Sequence, residues 1–410
     1  MTYSGKYWFE ELRDWLKEEG FTQSSTCPAL FYKSNSESNV IKLLDYVDDM
    51  LYFSTSDRLI DEFKSRLAKR FDVEFLGRVH WYLSCRIRQD IDYSITIDQS
   101  RYAKAIVKQF LESAGTAEDS RTYDSPLPTD FVATADDKAK TLEDSQALQK
   151  QYRIDYGSCV GCYIYLSNTR PDLMYAVAKL SKFSRQPGKK HMKYLLHLLR
   201  YTRDHTNYGI KFYADWSVSP LANLLREANV VSERPLLTFS DSSWQDCVDT
   251  GRSTGAYYIF YQGGIVDMSS NVPDPVAMSS AEAEYNEAAV ATMSTAHLHM
   301  MLDELELRAG TDKLHEHPIK ILLDNQSAVA MGQSFKDTKH TRHIWRHFHY
   351  VRQGEHSGMH KLHWIPNHFQ LADIGTKPLG PGDLLPLLKY MVVTILDDNV
   401  DSQQPSVQEG

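Results

Sequence analysis

From residue 236 to about 365 the chain alternates short β-rich apolar runs with helical stretches, and this order limits the possible folds more than any other feature. LLTFS (236–240), YYIFY (257–261) and GIVDMS (264–269) come first, the last two joined by a turn at Gly263-Gly264. A long helix from about 281, then IKILL (319–323), a helix near 338–353 and KLHWI (361–365) follow. Short runs rich in Ile, Tyr and Phe and bounded by glycine read as strands. Three strands, helix, strand, helix, strand is the order of a mixed sheet with helices packed on it.

The preceding residues carry different patterns. In YWFEELRDWLKEEG (7–20), Trp8, Leu12, Trp15 and Leu16 repeat at helical spacing before a glycine stop at Gly20. IKLLDYVDDMLYF (41–53) reads as a hairpin joined at Asp48 and Asp49, and a helix with apolar Leu59, Ile60, Phe63 and Leu67 follows. Residues 111–150 turn polar and acidic and read as a linker; 151–212 read as helical and basic, and 213–235 as a connection without a clear pattern. The last residues, DNVDSQQPSVQEG, read as a disordered tail.

A chain of 410 residues with 42% hydrophobic residues can bury several cores, which predicts two to four domains. No apolar run approaches the roughly 18 residues of a membrane span, and MTYSGKYWFEE lacks the order of a secretory signal. The expected location is therefore the cytoplasm, with the nucleus as the alternative. Five cysteines form no disulfide framework; Cys159 and Cys162 make a lone CxxC in the apolar run YGSCVGCYIYLS, where burial is the expected role. Asn325-Gln326-Ser327 is formally a glycosylation sequon with no use outside the secretory route.

The net charge of −9 argues against nucleic acid as a partner, but its distribution argues for it. Between Lys179 and Arg203 lie eight Lys or Arg and no acid, and between Lys336 and Arg352 lie five Lys or Arg, four histidines and one acid. Either cluster alone reads as a solvated helix face. His343 and His347, at i and i+4, have zinc spacing but no evident third ligand, and their basic surroundings favour phosphate contacts.

Carboxylates stand at the ends of apolar runs. Asp241 follows LLTFS, Asp324 follows IKILL, Glu284 lies in the first turn of a helix opened by Ser279-x-x-Glu282, and Asp373 sits in QLADIGTK. Four carboxylates brought together would repel one another unless cations neutralise them, and hard oxygen ligands suit Mg²⁺. Spacing alone does not select these four from the 54 acids in the chain.

SDSSW (240–244), RSTGAYYIFYQGG (252–264), MSSAEAEYNEAA (278–289), LLDNQSA (322–328), TRHIWRHFHYVR (341–352) and WIPNHFQLADIGTKPL (364–379) resemble, in that order, the RNase H domain of copia-type retrotransposon Pol polyproteins. The resemblance implies metal-binding roles for Asp241, Glu284, Asp324 and Asp373. Helix geometry agrees for Glu284, which has Glu287 on its face at i+3, whereas Glu282 points about 200° away and serves the cap. Residues 166–213 are similar to the family's connection between polymerase and RNase H. Tyr46-Val47-Asp48-Asp49 looks like the reverse transcriptase palm hairpin, which implies ion binding by Asp48 and Asp49.

The implied fold class is α/β within an α+β multidomain chain: a partial reverse transcriptase palm and thumb (1–110), the linker (111–150), a helical connection (151–235), an RNase H-like mixed sheet with flanking helices (236–380) and a tail (381–410). The implied activity is cleavage of the RNA strand of RNA/DNA hybrids with two Mg²⁺ ions, Mn²⁺ being the alternative. Template-primer nucleic acid and other parts of the polyprotein are the further implied partners. The residues expected to grip phosphates are Lys189, Lys190, Lys193, Arg200, Arg203, Arg342, His343, Arg346 and Arg352. The polymerase site is expected to be incomplete, because the third palm aspartate of the family lies further upstream than the residues before Asp48. The rival reading is an inactive nucleic-acid-binding remnant. Three departures favour it: Asp45 where an apolar strand residue is usual, Ser84 where a turn glycine is usual, and Trp345 in the RHI segment. His368, five residues before Asp373, is expected to be an exposed loop residue, with proton transfer as the alternative.

Overall fold

A computed structural model describes residues 2–114, 120–273, 276–305, 317–334 and 345–396, with the side chains of 2–4 and 345–348 left aside. The first sheet is antiparallel, with strands β1 (Thr22–Gln23), β2 (Leu30–Ser34), β3 (Val40–Tyr46) and β4 (Asp49–Ser54) in sequential order. Helices Thr2–Glu18 and Asp57–Arg70 bring Leu12, Trp15, Leu16, Phe63 and Leu67 into one core with Phe31, Ile41 and Leu43. Trp15 meets Phe71 edge to face at 5.4 Å, the favoured aromatic geometry. The β3–β4 turn falls one residue earlier than the expected Asp48-Asp49 joint. Tyr46 pairs with Asp49, so Val47 and Asp48 are the turn, and Val47 takes φ 58°, costly for a β-branched residue.

A second antiparallel sheet contains β5 (Trp81–Tyr82), β6 (Cys85–Gln89), β7 (Ile95–Asp98) and β8 (Tyr208–Phe212). Helices between β7 and β8 form the largest core, in which Ile106 and Leu111 meet Tyr156, Tyr163, Leu195 and Leu199. The segment read as a linker is partly ordered into it. Leu127 and Phe131 are buried there, and Leu142–Tyr152 is a helix capped by Thr141, whose side chain accepts from the Asp144 amide. Two well-spaced apolar anchors in a polar stretch are enough to dock it.

The third sheet consists of β9 (Leu237–Ser243), β10 (Thr254–Tyr261), β11 (Gly264–Asn271), β12 (Ile319–Leu323) and β13 (His360–Trp364). Its spatial order is β11-β10-β9-β12-β13, with the first three antiparallel and β9, β12 and β13 parallel. Together with the long helix Ser280–Leu305 this is an RNase H-like mixed sheet within a multidomain α+β chain. Helix Gln326–Gln333 was not foreseen. Asn325 caps it by accepting from the Ala328 amide, so the sequon asparagine has a structural use.

The reading of 381–410 as a tail is corrected for its first part. Pro381–Leu388 is a helix, Leu384, Leu388, Met391 and Ile395 are buried, and β14 (Val393–Thr394) pairs with β8. Residues 397–410 lie outside the described residues. Among the described residues no helix is long and apolar enough to cross a membrane. Cys159 is fully buried, as expected, and Cys162 half-buried.

Candidate metal centre

The central strand β9 carries Asp241 at its C-terminal end, on the strand face of Leu237 and Phe239, which anchor it in the core below. Asp324 follows the last residue of the parallel neighbour β12, so both carboxylates emerge at one sheet edge. Glu284 comes from the first turns of Ser280–Leu305. That helix starts through the expected reciprocal cap: Ser279 Oγ accepts from the Glu282 amide, and Glu282 Oε2 accepts from the Met278 amide. Asp373 opens the four-residue helix Asp373–Thr376.

Asp241, Glu284 and Asp324 each offer a ligand oxygen, and the three oxygens lie within 4.8 Å of one another. Asp373 stands beside them, tied to Lys377, whose Nζ is 2.8 Å from Asp373 Oδ1. Thr376 Oγ1 donates to Asp241 Oδ2, and Gln370 Nε2 donates to the Ser240 carbonyl at 3.0 Å. Trp364 Nε1 donates to the Asp324 carbonyl at 3.0 Å, which fixes the backbone of that residue.

The electrostatics are those of an acid cluster short of positive charge. Burial, then the charges of Asp241 and Asp324, push Glu284 well above the usual carboxylate range. Burial and Asp241 raise Asp324 to about 6 and Asp373 to about 8, with Lys377 pulling both down. Glu284 Oε2 is buried with no hydrogen-bond partner, an expensive state for a carboxylate. Hard oxygens, raised affinity for protons and an orphaned buried oxygen together fit a divalent cation held by Asp241, Glu284 and Asp324.

Glu287 was noted in the sequence only as sharing a helix face with Glu284. It is fully buried, and burial followed by the charge of Asp241 raises it to about 8. Lys377 was not singled out at all, although its i+4 spacing from Asp373 was legible. His368 is exposed in the 3₁₀ turn Asn367–Phe369, its ring 4.1 Å from that of Phe369.

At the other candidate site Asp48 and Asp49 are exposed at the hairpin tip, and Asp45 is buried behind them on the face of Ile41 and Leu43. Burial, then the charge of Asp48, raises Asp45 to about 6. Among the described residues no third ligand atom joins Asp48 and Asp49 in a cluster.

The basic residues separate into two groups. Lys189 and Lys193 are exposed on helix Lys189–Asp204. Lys190 is paired with Asp137 at 3.2 Å, Arg200 lies over the Tyr123 ring at 5.5 Å, and Arg203 is paired with Asp204 at 2.8 Å. Arg352 is buried, its Nε donating to the Met331 carbonyl at 3.3 Å. Arg342 and His343 lie outside the described residues, and so does the side chain of Arg346.

A palm-type hairpin followed by an RNase H-like sheet with clustered carboxylates defines a reverse-transcriptase-related chain. Residues 1–118 match the family described as reverse transcriptase (RNA-dependent DNA polymerase). The retrovirus-related Pol polyprotein from transposon TNT 1-94 of Nicotiana tabacum is 26% identical over 389 residues, 94% of this chain and 27% of the relative. The corresponding polyprotein from transposon RE1 of Arabidopsis thaliana is 27% identical over 91% of this chain and 23% of its own length. The chain thus spans about a quarter of either polyprotein. The putative transposon Ty5-1 protein of Saccharomyces cerevisiae is 25% identical over 70% of this chain and 83% of the relative. Over most of its length the chain is thus similar to copia-type retrotransposon Pol polyproteins.

Proposed function

We propose that this chain cleaves the RNA strand of RNA/DNA hybrids with Mg²⁺, as the RNase H part of a copia-type Pol protein. The observation that carries the reading is the nest of Asp241, Glu284 and Asp324 at the edge of an RNase H-like sheet, its ligand oxygens within 4.8 Å. Two bound Mg²⁺ ions would supply activation of the attacking water and stabilisation of the leaving 3′-oxygen. The chain's residues divide the remaining work. Asp241, Glu284 and Asp324 provide hard oxygen ligands, Thr376 and the indole of Trp364 hold two of them in place, and Asp373 adds a fourth carboxylate. Exposed Lys189 and Lys193 are suited to phosphate contacts, which are insensitive to sequence.

The test is Asp324→Asn with a labelled hybrid in Mg²⁺. Cleavage should disappear while hybrid binding persists, since binding rests on cations elsewhere. Cleavage at the parent rate would remove the assignment.

A further inference from the structure

Of the four carboxylates, three converge and the fourth reaches one of them, Asp241. The close group comprises Asp241, Glu284 and Asp324, whereas Asp373 pairs with Lys377 at 2.8 Å. Lys377 follows the short helix Asp373–Thr376, where the chain turns extended, and its amide still donates to the Asp373 carbonyl at 3.3 Å. The ammonium therefore has a fixed anchor within the cluster. The charge of Lys377 also acts on Asp241 and Asp324, so it partly neutralises two members of the nest. Its side chain is nevertheless 39% exposed, which leaves the ammonium a way into water without unfolding. The orphaned, buried Glu284 Oε2 marks the nest as a place that lacks positive charge even with Lys377 present.

We infer that Lys377 is the site's own counter-cation: it neutralises Asp373 beside the three-acid nest, and a second divalent ion binds only by displacing the ammonium. The inference rests on the reading of the cluster as a divalent-cation site and adds its regulation. The first ion meets the three convergent carboxylates. The second needs Asp373 and is repelled by the ammonium in a partly desolvated site, where charges act strongly. Occupancy by two ions is thereby tied to expulsion of the lysine.

The experiment measures Mn²⁺ binding to the full chain without nucleic acid, by calorimetry and by the electron paramagnetic resonance signal of free Mn²⁺. The parent should bind one ion tightly and one weakly. Lys377→Gln should tighten the weak step by on the order of tenfold and leave the tight step unchanged, and Lys377→Arg should behave like the parent. In an Asp373→Asn background, Lys377→Gln should bring no such gain. If Lys377→Gln does not fold, Lys377→Met keeps the stem without the charge and answers the same question. An unchanged weak step in a folded uncharged variant, or equal tightening by arginine, would overturn the inference. No ion bound by any variant, parent included, would overturn the divalent-site reading and the inference with it. A parent that binds ions without cutting hybrids would fail the functional proposal alone.

Discussion

Gly255 and Glu287 share one space: a Cβ on Gly255 would lie 1.9 Å from Glu287 Oε2. The glycine on β10 is thus what allows a carboxyl side chain to be buried between the long helix and the sheet, next to β9. Gly255→Ala forces either the carboxyl or the strand to move, and overpacking of this kind costs about 1–3 kcal/mol. Adding Glu287→Ala should restore part of that stability. Urea unfolding of the two single variants and the double variant checks this, and strictly additive losses would contradict the shared space.

The buried acids make stability depend on pH. Glu287 rises from 4.5 to about 8, Asp373 from 3.8 to about 8 and Asp324 from 3.8 to about 6. With folded values above unfolded ones, the unfolded chain loses its protons first. Stability is therefore fully present below about pH 4 and declines as pH rises through the folded values towards 8. Glu287→Gln keeps the shape without the charge, so it should flatten this decline, by roughly 4 kcal/mol between pH 4.5 and 8 if the whole shift is expressed. Denaturation midpoints at a series of pH values without divalent ions test it; an unchanged slope in Glu287→Gln rejects it.

The β5–β6 hairpin offers a prediction independent of any chemistry. Trp81 pairs with Arg86 and Tyr82 with Cys85, so Leu83 and Ser84 form a two-residue turn, with φ 47° and 58°. Such turns favour glycine because L side chains pay for positive φ. Ser84→Gly should stabilise the chain by about 0.5–1 kcal/mol, the relief of strain exceeding the added entropy of the unfolded chain. A lower unfolding midpoint would show that the serine is better accommodated than its backbone implies.

The distribution of cations predicts the salt dependence of hybrid binding. Lys189→Gln with Lys193→Gln should reduce the slope of log affinity against log salt by about 0.9 per lysine. Arg203→Gln should leave the slope unchanged, because Arg203 is occupied by Asp204 and the Arg121 carbonyl. Filter binding from low to moderate salt distinguishes the two. A slope that responds equally to both sets would mean that Arg203 leaves its partners when nucleic acid binds.

What the sequence revealed and what it concealed differ in physical kind. Strands β9 to β13 were legible because each is a short apolar run ending at a turn or an acid, and Asp241 and Asp324 were legible as the residues at which two such runs emerge. The register that brings them together depends on β9 and β12 being parallel neighbours, a long-range relationship absent from local periodicity. Lys377 was legible only as a lysine four residues after Asp373; its action on Asp241 and Asp324 depends on the fold that brings β9 and β12 beside it. The order in 381–396 was concealed because its apolar residues gain their value from Tyr208–Phe212, far away in sequence.

The last prediction concerns the palm hairpin: the purified chain should not extend a primer. Nucleotidyl transfer by two ions needs carboxylates from more than one strand to hold them. Asp48 and Asp49 are exposed on a single hairpin, and no third ligand atom joins them among the described residues. Asp45 cannot fill the place as it stands. It is buried on the core face of β3, where burial raises it to about 6, and turning it outward would break the alternation that buries Ile41 and Leu43. An ion at the tip would then be held by two flexible, solvated carboxylates, with affinity too low to order a triphosphate. The check is primer extension on an RNA template with Mg²⁺ or Mn²⁺, with Asp48→Asn as the control for contaminating polymerase. Gel shifts do not bear on it, since binding of template and primer requires no chemistry. Extension that vanishes in Asp48→Asn would mean that another carboxylate of this chain completes the site, and Asp45, in a rearranged hairpin, would be the first to replace.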